Sequence, residues 1–407
     1  MKTIIIVDPL SSGRFYAPYF KKLGINCVAV ISDPNMSPRF LNTLIPEDFS
    51  AIYHWEEALL STLDELSALG VVAGCETAIY LTDYLTETLG LNGNSRNTSD
   101  FRRNKFSMQN ALKSKGLPGI TSKILSSRSQ IPGFMETVDP ERDYVIKPIN
   151  SASTDGVVFA KGTAQVHAAL INAAWHQKND LGEENLGFIV QPFIEGPEYV
   201  VDMVAYDGTM VIASVCRYSK VERNGSKFVY EGLDTLDPAD ITLKPLLDYA
   251  RQAAAALGIR VGPIHMEIIW SDQGPLMIEA GARLHGGIAP LLFTNVYKPD
   301  LLSLAVDCYL GTPAPHNMTA VKQINHGRIG FFYADTATRF NGPSEADLAD
   351  ATNNIAYGGH RYFLAPGDVT KVTVDFATCP GLFWVYHPEP AQLSHSAETL
   401  RQLLWRE

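Results

Sequence analysis

His265-Met266-Glu267-Ile268-Ile269-Trp270, then Ser271-Asp272-Gln273-Gly274, then Leu276-Met277-Ile278-Glu279 is the most telling stretch of the chain. Two apolar runs flank four turn-forming residues, which is the pattern of an antiparallel β-hairpin. With Gln273 at its centre, Glu267 and Glu279 stand opposite one another. Cross-strand partners share a face with Cβ atoms about 4.5–5.5 Å apart, where like charges repel. Two carboxylates among Met266, Ile268, Met277 and Ile278 therefore need a cation between them. Hard divalent ions such as Mg²⁺ take such oxygens together with substrate phosphates. The period of two also sets His265 on the Glu267 face, and Arg283 follows Glu279 among glycines. The plainer alternative is a shifted register, or two glutamates that simply face water.

Upstream, Lys147 ends the apolar strand Tyr144-Val145-Ile146 and precedes a loop bearing Ser151, Ser153, Thr154 and Gly156. Small residues let backbone N–H groups approach a phosphate, hydroxyls add donors, and the lysine adds a point charge. By itself such a loop is more often solvated. Gln191-Pro192-Phe193-Ile194-Glu195-Gly196-Pro197-Glu198 follows the next strand. It offers backbone groups beside Phe193 and Ile194 for an adenine edge, with Glu198 placed for ribose hydroxyls. Alone, it reads equally as a connecting loop.

Towards the N-terminus, Ile4–Val7 and Cys27–Ile31 read as buried strands around a helix at Arg14–Leu23, a βαβ opening that implies a parallel sheet. Helices are expected at Ala58–Leu69 and Glu76–Leu89 around the strand Val71-Val72-Ala73. No GxGxxG follows the first strand, which disfavours a dinucleotide site. Asn104 caps a helix running to Lys115, and Thr163–Gln177 is an amphipathic helix. Asp207-Gly208 and Asn224-Gly225 mark hairpins. Later helices are expected at Pro299–Leu310 and Ala397–Leu404.

The chain has 407 residues, which at about 150 per domain suggests two to four domains. With 46% hydrophobic and 19% charged residues, its composition is globular. The net charge of −11, without any basic block, argues against a nucleic-acid partner. Five scattered cysteines with no CxxC pair argue against a thiolate metal cluster or a disulfide framework. They fit a reducing compartment. No stretch approaches the ~18 apolar residues of a membrane helix, so the expectation is a soluble, cytoplasmic protein with no membrane partner.

Taken in order, Lys105, Lys147 with its loop, Gln191–Glu198, Glu267 and Glu279 resemble the ATP-grasp superfamily over essentially the whole chain. The resemblance implies an α/β and α+β fold in which two subdomains clasp ATP behind an open parallel α/β domain. The divisions expected are 1–95 for that N-terminal domain, 96–195 for the lid with its phosphate loop, 196–315 for the catalytic subdomain, and 316–407 for a separate small β-rich subdomain. By position, Lys105 and Lys147 match the phosphate-contacting lysines, and Ser153, Thr154 and Gly156 the phosphate loop. Gln191 and Ile194 match the adenine hinge, and Glu198 the ribose-binding acid. Glu267 and Glu279 match the carboxylates for Mg²⁺, with Mn²⁺ as an alternative ion. Arg283 matches the arginine of the motif E-x-N-x-R, while Gly281 departs from its asparagine.

Gly74-Cys75-Glu76, Arg102-Arg103-Asn104-Lys105, Gly262–Glu267 and Gly281–Gly287 are most similar to the L-amino acid ligases, the bacterial dipeptide synthetases. That likeness implies an ATP-dependent ligase that joins two L-amino acids through an acyl phosphate, releasing ADP and phosphate. Arg283 and Lys147 would be catalytic. Glu231, Arg283, Glu76 and His285 would meet the amino-acid substrates, with Glu231 or His285 available to take the amine's proton. A homo-oligomer is compatible with this reading. Two other readings stand beside it: an amide synthetase using a non-proteinogenic acid or amine, and a nucleotide-binding regulatory protein without catalysis.

Overall fold

In the computed structural model, residues 2–152, 154–315 and 321–405 are described. The chain opens on four parallel strands, β1 (Thr3–Val7), β2 (Asn26–Ile31), β3 (Ala51–His54) and β4 (Val71–Ala73), in the order β3-β2-β1-β4. Every residue of β1 is buried because both faces are covered. Ile5 and Val7 pack into one core, Ile4 and Ile6 into another. The helix expected at Ala58–Leu69 spans only Leu60–Glu65, since Ser67 takes φ 45° and ends it ahead of Gly70. At Arg14–Leu23 a 3-10 turn, Ser11–Phe15, precedes the helix Tyr16–Lys22.

Asn104 caps the helix Lys105–Ser114, its Oδ1 accepting from the N–H groups of Phe106 at 3.0 Å and Ser107 at 3.1 Å. The cap sets Lys105 at the first helical position. Next come β5 (Lys123–Leu125), β6 (Asp143–Pro148), β7 (Val158–Lys161) and β8 (Phe188–Pro192), an antiparallel sheet ordered β5-β8-β6-β7. The helix over it, Gly162–Asn172, stops short of the expected Gln177. Ala173 turns extended, and Trp175 folds back to donate its indole N–H to the Leu170 carbonyl at 2.8 Å.

The third sheet is the largest. It is built from β9 (Glu198–Tyr206), β10 (Thr209–Arg223), β11 (Ser226–Leu236), β12 (Val261–Ser271) and β13 (Gly274–Gly281). The short pair β14 (Tyr297–Lys298) and β15 (Lys322–Gln323) stands apart, and β16 (His326–Phe331), β17 (Tyr357–Tyr362) and β18 (Gly381–His387) return to the large sheet. Its order is β13-β12-β9-β10-β11-β16-β18-β17, antiparallel throughout. The hairpins at Asp207-Gly208 and Asn224-Gly225 turn with positive φ at all four residues. The C-terminal section, expected as a separate subdomain, instead adds its strands to this sheet. Gly232, Leu233 and Asp234 of β11 pair with Gly330, Ile329 and Arg328 of β16. The helix Leu301–Tyr309 starts after an Asp300 cap, two residues beyond the expected Pro299, and the last helix, Pro390–Leu404, starts earlier than expected. Among the described residues no helix is long and apolar enough to cross a membrane.

Candidate active site

Strands β6 and β8, the β12–β13 hairpin, the end of β4 and the β16–β18 section all face one cleft of about 1270 Å³. At its floor, Glu267 is paired with Glu279 across β12 and β13. The turn is not centred on Gln273, however. Ser271 pairs with Gly274 and Ile268 with Met277, so a one-residue bulge at Ile278 restores the Glu267–Glu279 register. Lys105 Nζ lies 2.9 Å from Glu279 Oε2 and also donates to the Ser151 carbonyl. His265 Nε2 lies 3.5 Å from Glu267 Oε1. Burial disfavours the Glu267 charge, but the hydrogen bond and charge of His265, with Lys220 and Arg283, together hold the carboxyl below its usual range.

Lys147, on β6, is 5% exposed. Burial pushes its pKa down to about 8, against the attraction of Glu279. Along the next wall, Gln191 donates from Nε2 to Ser122 Oγ at 2.8 Å. Beyond Ile194, the chain is pinned to β12 where the Trp270 N–H donates to the Pro197 carbonyl at 2.9 Å. Gly196 is required there, because a Cβ would meet the Trp270 carbonyl oxygen at 2.3 Å. Glu198 pairs with Lys220 at 2.7 Å, yet burial still raises its pKa. In the loop after Lys147, Thr154 takes φ 61° and its hydroxyl accepts from the Phe376 N–H at 3.3 Å. Gly156 takes φ 70° and is not among the lining residues. Ser153 lies outside the described residues.

Arg283 donates from Nε to Glu76 Oε2 at 2.8 Å. Glu76 Oε1 in turn meets Arg103 at 3.2 Å, and Arg103 meets Glu183 at 2.7 Å. This chain of charges links the end of β4 to the segment that precedes β8. Burial works against the Glu76 charge, but Arg283, Arg103 and Lys105 together hold its pKa below the ordinary value. Deeper in, Asp202 on β9 is fully buried between His265 and His285. Leu233, Ile329, Phe331 and Leu382 add an apolar portion to the lining of the same cleft.

The structure thus gathers Lys105, Lys147, Thr154, Gln191, Ile194, Glu198, Glu267, Glu279, Arg283, Glu76 and His285 around one space. Glu231 is not part of it. It is the unpaired residue between Tyr230 and Gly232, opposite Lys220 and Ser219, and its carbonyl accepts from Arg401 at 3.0 Å. Sequence reasoning passed over Asp202, Lys220 and Glu183. The signal for Asp202 was visible: a lone carboxylate in the apolar run Val200-Val201-Asp202-Met203-Val204.

Residues 141–290 match the family described as the ATP-grasp domain. The chain is 29% identical to dapdiamide A synthase of Enterobacter agglomerans, over 99% of this chain and 96% of that protein. It is 24% identical to the L-arginine-specific L-amino acid ligase of Bacillus subtilis, over 53% of this chain and 52% of that one. Among solved structures, the L-amino acid ligase from Bacillus licheniformis superposes with a TM-score of 0.75 at 17% identity, covering 99% of this chain and 97% of that one.

Proposed function

We propose that this chain, which belongs to the ATP-grasp superfamily and has its fold, is an ATP-dependent carboxylate–amine ligase joining two amino acids through an acyl phosphate. The observation that carries the reading is the convergence of Lys105, Lys147, Glu198, Glu267, Glu279 and Arg283 on one cleft. A carboxylate oxygen attacks the γ-phosphorus of ATP, ADP leaves, and an amine then displaces phosphate from the acyl carbon. The obstacle is charge, because an anion must approach a triphosphate. Lys105, Lys147 and Arg283 offset it from fixed positions. No side-chain nucleophile is needed.

Gln191 and Ile194 border the adenine, Glu198 meets the ribose hydroxyls, and Thr154 with its loop covers the phosphates. Glu267 and Glu279 are a fitting donor set for a hard divalent cation, Mg²⁺ or Mn²⁺, being two partly buried carboxylates paired across strands and lining the cleft. Such a cation, when bound, supplies charge neutralisation at the phosphates. Arg283 orients the substrate carboxylate once the Glu76 pairing opens. The apolar lining of Leu233, Ile329, Phe331 and Leu382 suits an apolar substrate side chain. Similarity to dapdiamide A synthase along nearly the whole chain favours a second form of the reading, in which one partner is a non-proteinogenic acid or amine.

The test is phosphate release from ATP and Mg²⁺ across a matrix of paired amino acids and carboxylic acids, with mass spectrometry on the positives. Release that requires both partners, with a product at the summed mass less water, supports the ligase. ATP binding with no release in any pair would sink it and favour a regulatory protein.

A further inference from the structure

The two oxygens of Asp202 take different imidazoles: Oδ1 lies 3.0 Å from His265 Nδ1 and Oδ2 lies 3.0 Å from His285 Nδ1. Ser214 Oγ donates to the same Oδ2 at 2.5 Å. An ionised carboxylate only accepts hydrogen bonds, so each Nδ1 carries its proton and each Nε2 turns away from Asp202. There the two rings part company. His265 Nε2 faces a second carboxylate, with Glu267 Oε1 3.5 Å away, so that nitrogen is engaged.

His285 lines the cleft, and its Nε2 makes no hydrogen bond among the described residues. The groups facing it are Asp202 from β9, His265 from β12, the neighbouring Arg283, and the edge of Phe293 with ring centroids 5.5 Å apart. Burial lowers its pKa against the pull of Asp202, and the charges of His265 and Arg283 add to the lowering. One carboxylate thus fixes two imidazoles, of which only His285 keeps its Nε2 open to the cleft.

We infer that His285 Nε2 takes the proton of the incoming amine, and that Asp202, though it touches no substrate, positions that ring. The inference rests on the ligase reading. The amine arrives as an ammonium, and His285 accepts one proton, which frees the nitrogen lone pair. That pair forms the C–N bond at the acyl carbon, the bond from carbon to the phosphate oxygen breaks, and phosphate leaves with its electron pair. The second nitrogen proton passes to phosphate, and His285 returns its own to water.

Hydroxylamine tests this, because it is uncharged near neutrality and intercepts an acyl phosphate without a base. Wild type, His285→Gln and Asp202→Asn are compared for ATP-dependent hydroxamate formation and for amide formation between about pH 6.5 and 9.5. The expected result for His285→Gln is a loss of about 10²-fold in amide formation near neutrality, a much smaller loss with hydroxylamine, and a defect that shrinks as pH rises toward the amine's pKa. Asp202→Asn shows the same split to a smaller degree, and it carries the test should the glutamine variant fail to fold. Equal losses with both nucleophiles, or a defect independent of pH, overturn the inference alone. Absence of hydroxamate from wild type with every acid tried overturns the ligase reading, and the inference with it.

Discussion

The Glu76 carboxylate occupies the space that a side chain at Gly281 would need: Glu76 Oε2 lies 2.8 Å from where a β-carbon on Gly281 would stand. The same oxygen accepts from Arg283, and its partner oxygen meets Arg103. The departure from E-x-N-x-R and the partly buried pairing of Glu76 with Arg283 are therefore one feature.

Gly281→Asn forces Glu76 out of a place fixed by two arginines. The expected cost is about 1–3 kcal/mol, as for other overpacked sites, together with a clear fall in turnover. Adding Glu76→Ala relieves the crowding, so the double variant is more stable than the sum of the single losses predicts. Denaturant unfolding of the four proteins checks this, and simple additivity would refute it.

Glu279→Gln removes the charge that Lys105 meets at 2.9 Å and one of the paired carboxylates. Turnover is expected to drop about 10²–10³-fold, and the Mg²⁺ dependence of ATP binding to weaken. Phosphate release and a Mg²⁺ titration of nucleotide binding measure both. A protein that only binds nucleotide would show the second effect without any turnover to lose.

Burial lowers the Lys147 pKa to about 8. Triphosphate favours the charged lysine, so ATP binding near and above that pH draws in a proton, and apparent affinity falls as pH rises through it. Calorimetric titration in two buffers of different ionisation enthalpy reads the uptake directly. Heats that do not depend on buffer, or an unchanged uptake in Lys147→Ala, would contradict the assignment.

Arg102 is fully buried and pairs with Asp83 Oδ2 at 2.6 Å. Asp83→Ala leaves that guanidinium uncompensated, and a loss of about 3–5 kcal/mol is expected. Thermal and denaturant unfolding test it, and a loss within the range of ordinary surface substitutions would show that carbonyl acceptors around Arg102 suffice.

Much of the frame was legible because its causes are local. The positive-φ turns at Asp207-Gly208 and Asn224-Gly225, the Asn104 cap and the buried strand Ile4–Val7 each depend on residues within a few positions of one another. The Glu267–Glu279 pairing was anticipated too, although from a hairpin centred on the wrong residue. The bulge at Ile278 that actually creates it has no mark in the apolar pattern.

By itself, then, the sequence determined the order of strands and turns and the residue types that could meet phosphates and a cation. Tertiary structure alone decided that the strands after Lys322 extend the large sheet, that Glu231 is not among the residues lining the cleft, and that Glu76 fills the place beside Gly281. It also decided that Asp202 holds two histidines. Those partners lie far apart along the chain: Asp202 is 63 residues from His265 and 83 from His285, and Glu76 is 207 from Arg283. Contacts across such separations are set only when whole sheets close on one another. Neither propensity nor periodicity, which act over a few residues, can encode them.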